Sequence, residues 1–135
     1  MRINKTNLNE IKASDVYMHD DRLLNLKYNY QERKITLLIC DEFDNNKSYN
    51  VDFIDVIGFY CTGCDFWGIS PYIFDFELVE KDNQIVIQEL KKHGEKTPHF
   101  KFKMELDDYL EIRMTFTSGD RLRIACREIV FCKDC

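Results

Sequence analysis

Residues Leu110 to Cys126, LEIRMTFTSGDRLRIAC, decide how the rest of the chain reads. Leu110, Ile112, Met114 and Phe116 alternate with Glu111, Arg113 and Thr115. A period of two puts every second side chain on one face, the pattern of a strand buried on one side. Ser118-Gly119-Asp120 then predicts a tight turn, with Gly119 able to take positive φ. Leu122, Ile124 and Cys126 resume the alternation. Two such runs across a tight turn make an antiparallel hairpin, whose apolar face needs another layer to cover it.

Working outward, the same period returns. Leu24, Leu26, Tyr28 and Tyr30 alternate with Asn25, Lys27 and Asn29; after the polar break Gln31-Glu32-Arg33, Ile35, Leu37 and Ile39 alternate with Thr36, Leu38 and Cys40. The second run is apolar on both faces near its end, as for a strand in the sheet interior. Asp41 to Ser48, DEFDNNKS, is loop chemistry, and Tyr49, Val51 and Phe53 resume the alternation. Tyr72, Phe74, Phe76 and Leu78 alternate with Ile73, Asp75, Glu77 and Val79. Lys81-Asp82-Asn83 reads as a turn and Ile85 to Ile87 as a short strand, giving a second hairpin. Lys91 to Pro98, KKHGEKTP, reads as a polar loop, and Phe100, Phe102 and Met104 alternate with Lys101, Lys103 and Glu105. Ile129 to Phe131 adds a final short strand. The pattern predicts an all-β or β-rich fold with little helix: about eight strands in an antiparallel sandwich or partly open barrel. Residues 1–135 read as a single domain, with 1–14 as an irregular N-terminal arm.

Composition narrows the function classes. The 135 residues carry 19 Lys and Arg against 24 Asp and Glu, a net charge of −5. Binding to nucleic acid needs clustered cations, so no nucleic-acid partner is expected; a basic protein is the complementary one. No apolar run has signal-peptide or membrane-helix length, which makes the cytoplasm the expected location and leaves no membrane partner. Six cysteines in that compartment should be mostly thiols or thiolates.

The segment Gly58 to Phe76, GFYCTGCDFWGISPYIFDF, concentrates the unusual residues. Cys61-Thr-Gly-Cys64 pairs with Cys132-Lys-Asp-Cys135 as a second C-x2-C, and four such thiolates could hold a structural zinc ion tetrahedrally. The pairs lie far beyond the roughly 12–20 residues usual in a zinc ribbon, so the site depends on the fold bringing them together. A dithiol redox role is weaker, because DFWGISP after Cys64 is a poor helix start. Cys40 and Cys126 read as small core residues. His19-Asp20-Asp21 has the composition of a metal or acid–base cluster. On a strand, however, His19 and Asp20 point to opposite faces and only His19 and Asp21 converge. His93 and His99 have no nearby partner, and no phosphate loop, nucleophile elbow or spaced histidine motif is present. Of the aromatic cluster Phe59, Tyr60, Phe66, Trp67, Tyr72, Phe74 and Phe76, most reads as core. Trp67 and Tyr72, flanked by Gly and Pro, are the expected partner-binding residues.

Three stretches carry a resemblance: VYMHDDRLLNLKYNYQERKITLLI (Val16–Ile39), WGISPYIFDFEL (Trp67–Leu78) and LEIRMTFTSGDRLRIACREIVF (Leu110–Phe131). Together they resemble the small bacterial proteins of the YxiG-like type and related immunity proteins of polymorphic toxin systems. The shared pattern is an aromatic or aliphatic residue before His-Asp, then two apolar strands, and later a Trp-Gly. The resemblance implies a β-rich, non-enzymatic domain that binds a protein and neutralises a cognate toxin. The two C-x2-C pairs lie outside that pattern. The alternatives are a small zinc-stabilised domain and, last, an enzyme whose site is assembled from distant residues.

Overall fold

The computed structural model of the chain describes residues 1–44, 46–62, 72–96 and 106–132. Among them are nine strands: β1 (Arg2–Ile3), β2 (Arg22–Asn29), β3 (Lys34–Cys40), β4 (Ser48–Ile54), β5 (Gly58–Cys61), β6 (Ile73–Leu78), β7 (Leu110–Phe116), β8 (Arg121–Cys126) and β9 (Glu128–Cys132). One α-helix, α1 (Val86–Lys96), follows β6. The strands form two antiparallel sheets, in the orders β1-β9-β4-β3-β2 and β5-β8-β7-β6. The fold is therefore the β-rich antiparallel one that the alternation predicts. Gly119 takes φ +92° in the β7–β8 turn, as expected.

The two sheets share one bent ladder. β4 pairs with β9 in the first sheet, and their continuations β5 and β8 pair in the second. The bend falls at Asp55, whose φ is +56°, opposite Arg127. Across it the ladder stays bonded: Arg127 N donates to Ile54 O at 3.0 Å and Ile57 N to Ala125 O at 2.9 Å. A bulged corner of this kind lets strands pass from one sheet to another that crosses it steeply. β2 runs across the second sheet. It bridges Tyr72 at Arg22, beside β6, and its Tyr28 ring lies 4.9 Å from Phe59 on β5, the opposite edge.

Between the sheets the inward positions meet. Ile35, Leu37, Ile39, Val51, Phe53 and Ile129 face Ile112, Met114, Leu122 and Ile124, all with no exposed surface. Burying a side chain of this size stabilises by roughly 1.5–3 kcal/mol, and these layers are the main source of stability. The expected irregular arm is tied to this core: β1 pairs with β9, and Ile3 is fully buried.

Residues 81–96 depart from the sequence reading. The expected strand Ile85–Ile87 is the start of α1, and the expected loop is its second half. Val86, Ile87 and Leu90 pack over Ala125 and Tyr60 on the outer face of the second sheet. Gly58 permits this close approach, since a Cβ there would stand 2.9 Å from Val86 Cγ1. The helix lacks a capping residue of its own, because Ile85 occupies the position where Ser, Thr, Asp or Asn usually sits. Glu111 on β7 replaces it. Its carboxylate accepts the Ile85 and Ile87 backbone N–H groups at 2.8 and 2.9 Å. Arg123 Nη1 donates to the same carboxylate at 2.8 Å, and both side chains are buried. A β-branched run thus became helical through a cap supplied from another strand, which local pattern cannot reveal.

A substitution series tests this cap. Glu111→Ala strips two backbone donors of their acceptor and leaves Arg123 charged and buried. We expect a loss of about 3–5 kcal/mol in urea denaturation. The double variant Glu111→Leu with Arg123→Leu should cost less than the two single changes added together. Additive losses would mean that the two groups do not act as a pair.

Candidate functional site

The most distinctive surface lies where β2 and β6 meet. Asp20 takes φ +70°, a conformation that short polar residues tolerate, and turns the chain sharply before β2. Two backbone bonds lock the turn to β6: Asp20 N donates to Ile73 O and Ile73 N to Asp21 O, both at 2.8 Å. The turn sends neighbouring side chains in opposite directions. Asp21 goes inward, where it accepts the Tyr49 hydroxyl at 2.6 Å and the Glu42 backbone N–H at 2.9 Å. Asp20 stays outside, with its carboxylate 3.0 Å from His19 Nδ1. This corrects the strand-based expectation that His19 would converge with Asp21 and not Asp20. The positive φ of Asp20 breaks the strand alternation that the expectation assumed.

Aromatic rings surround His19. Tyr17 stacks on it with ring centroids 6.2 Å apart, and the Phe74 ring tilts against it at 5.6 Å. Arg22 lies 5.9 Å from the centroid of the Tyr72 ring, within cation–π range. Tyr17, Tyr72 and Phe74 are each at least half exposed, and Phe43, next to Glu42, is 89% exposed. Tyr72 is thus on the surface, as expected of a partner-binding residue. Phe74 is there through a β-bulge between Ile73 and Asp75 that shifts the register against β7. The bulge buries Ile73 and exposes Phe74, reversing the expected phase at the start of β6. Phe76 and Leu78 beyond it face inward as expected.

Carboxylates crowd one side of this patch. The Glu42 carboxyl is held above the usual carboxylate range, first by desolvation and then by the nearby charges of Asp20 and Asp21, with His19 opposing. Tyr49 is pushed well above the usual phenol range by burial and by its bond to Asp21.

The other expected site residues are scattered. Cys61 ends β5 on the surface, and Cys132 ends β9 in the other sheet and is disulfide-bonded. Cys64, Cys135, Trp67 and His99 lie outside the described residues, as does the alternating run Phe100 to Met104. Among the described residues no three His, Cys, Asp or Glu side chains converge as a metal-ligand set. Cys40 and Cys126 are buried, as expected of small core residues, and His93 is on α1, not in a loop. Among the described residues, no helix is long and apolar enough to cross a membrane.

A second concave region, of about 790 Å³, sits beside the bent corner and includes Lys5, Glu32, Asp55 and Arg127 among its walls. Within it Asp55 lies near two guanidinium groups, Arg33 at 3.9 Å and Arg127 at 4.0 Å.

No family model and no curated protein sequence matches the chain. One solved structure does, the crystal structure of an uncharacterized protein from Neisseria gonorrhoeae. It has a TM-score of 0.50 at 14% identity, covering 97% of this chain and 96% of that one. The likeness concerns the fold alone.

The Tyr49–Asp21 bond makes a prediction about alkaline pH. In the unfolded chain the phenol titrates near about pH 10, whereas the folded state holds its proton well above that. The contribution is therefore complete below about pH 10 and is lost as pH rises further. Tyr49→Phe should be less stable than the parent at pH 8, by about 1–2 kcal/mol for the lost bond to Asp21. The gap should close above about pH 10. Urea midpoints of both proteins across pH 8–11 measure it, and a constant gap would refute the account.

Proposed function

We propose that the chain is a non-enzymatic, protein-binding β domain that docks a basic partner on the β2–β6 surface. The observation that carries the reading is one contiguous face of exposed aromatics around His19, flanked by Asp20, Asp41 and Glu42. Aromatic rings supply the contact area and anchoring energy of an interface. The carboxylates supply sign: a Lys or Arg from a partner relieves their mutual repulsion. The net charge of −5 has the same sign and would steer a basic protein toward the chain. The exposed His19–Asp20 pair suits contact better than catalysis, which gains from a site closed to water. Tyr72 keeps the partner-binding role expected from the sequence.

The resemblance to immunity proteins makes the partner a basic toxin that the domain neutralises. Such an inhibitor needs fast, charge-steered association and a few strong anchors, and this face offers both. The test is co-expression with any basic protein encoded in a reading frame beside its own. We expect a co-purifying complex and restored growth, with affinity that falls steeply as salt rises. Tyr17→Ala with Phe74→Ala should weaken the complex by roughly 30-fold or more, as for anchor residues. No complex and no rescue would sink the proposal.

A further inference from the structure

A groove of about 340 Å³ continues from this aromatic face along β6. One wall is the N-terminal segment, with Ile11 and Val16; the other is Asp75, Phe76, Glu77 and Leu78. Consecutive strand residues point to opposite faces, so a groove that touches all four runs along the edge of the strand and not over either face. β6 is the last strand in its sheet, so this edge has no neighbouring strand among the described residues. Its hydrogen-bonding phase is fixed by β7. Val79 N donates to Glu111 O at 2.8 Å, and Glu77 is two residues back, opposite Arg113. Residues 77 and 79 therefore turn their main chain toward β7, while Phe76 and Leu78 turn theirs into the groove.

We infer that the β6 edge is a strand-addition site, taking an extended segment of the partner with alternating apolar and basic side chains. The inference deepens the docking proposal above and rests on it. Main-chain groups of Phe76 and Leu78 would bind the added backbone, and the alternating side chains would set specificity. The inward side chains of such a segment would lie against Val16 and Phe76. The outward ones would meet the carboxylates of Asp75 and Glu77. Asp15, next to Val16 in the N-terminal segment but not on the groove wall, is a further exposed carboxylate. Lys12 and Arg113 oppose this negative charge, the latter paired with Glu77. A second copy of this chain is a poor occupant. Pairing two β6 edges antiparallel sets the Asp75 and Glu77 carboxylates of both copies side by side, which is destabilising. The first part of the edge is already used in this way, since Ile73 exchanges backbone bonds with Asp20 and Asp21. An added strand would extend that pairing along β6.

The probe is an acetylated seven-residue peptide alternating Val and Lys, compared with its Val/Glu counterpart and with a version N-methylated at every second residue. Binding is followed by fluorescence anisotropy and by amide shifts of the full chain. We expect the Val/Lys peptide to bind and to shift amides at residues 75–78. The Val/Glu and N-methylated peptides should bind at least tenfold more weakly. Ala13→Trp, which fills the groove from its exposed wall, should lose binding by a similar factor. The peptide comparison decides the matter even if that variant fails to fold. Failure of the Val/Lys peptide to bind, equal binding of the N-methylated peptide, or shifts mapping away from β6 would each overturn strand addition. If strand addition fails while the partner complex still depends on Tyr17 and Phe74, the docking reading stands alone. If the peptide binds the edge but no partner complex forms, the docking reading fails and the edge site remains.

Discussion

The bent ladder at Asp55 and Arg127 is the constraint from which the rest of this structure follows. It makes one antiparallel strand pair serve two sheets, so the sheets cannot slide past each other without breaking it. The crossing it imposes makes β2 traverse the second sheet, from beside β6 to Phe59 on β5. Asp55 tolerates the positive φ needed at the bend, and two arginines stand near its carboxylate. A β-branched residue at this position would be strained. The fold thus depends on one short polar residue at the point of sharpest bending.

The strands were largely legible in the sequence because their inner faces alternate. β3, β4, β7 and β8 have their expected phase, since each lies inside a sheet where register determines which side chains are buried. Departures occur where the rule of two is broken. β2 carries a bulge between Leu23 and Asn25, and β6 one between Ile73 and Asp75. Each moves one hydrophobic residue inward and the next outward: Leu23 and Ile73 meet the core, while Leu24 and Phe74 face solvent. A bulge leaves no mark in an apolar run, so neither was foreseeable. Both lie just beyond the Arg22–Tyr72 bridge, where two edge strands from different sheets come together.

The site was half legible for the same reason. Tyr72 and the His-Asp-Asp run stood out in the sequence, but their arrangement depends on the turn at Asp20 and on the bulge at Phe74. The turn separates two adjacent aspartates into different environments. Asp21 becomes an interior acceptor that ties the Asp41–Ser48 loop to β4 through Glu42 and Tyr49. Asp20 remains at the surface as His19's partner. Glu111 offers a parallel, as a strand residue that caps a helix far from it in sequence. In each case the role of a carboxylate is set by donors that the chain brings from elsewhere.

The position of β9 also affects the order in which this protein can be made. It is the last described strand in chain order, yet it lies inside its sheet, between β1 and β4. Until it leaves the ribosome, β4 has an open edge and Ile3 has no strand to pair with. The first half of the chain can form the β2–β3–β4 meander but cannot close it. A nascent chain therefore exposes the β4 edge from the time β4 is made until β9 follows, when association with other chains is damaging. The first sheet closes only when β9 enters between β1 and β4.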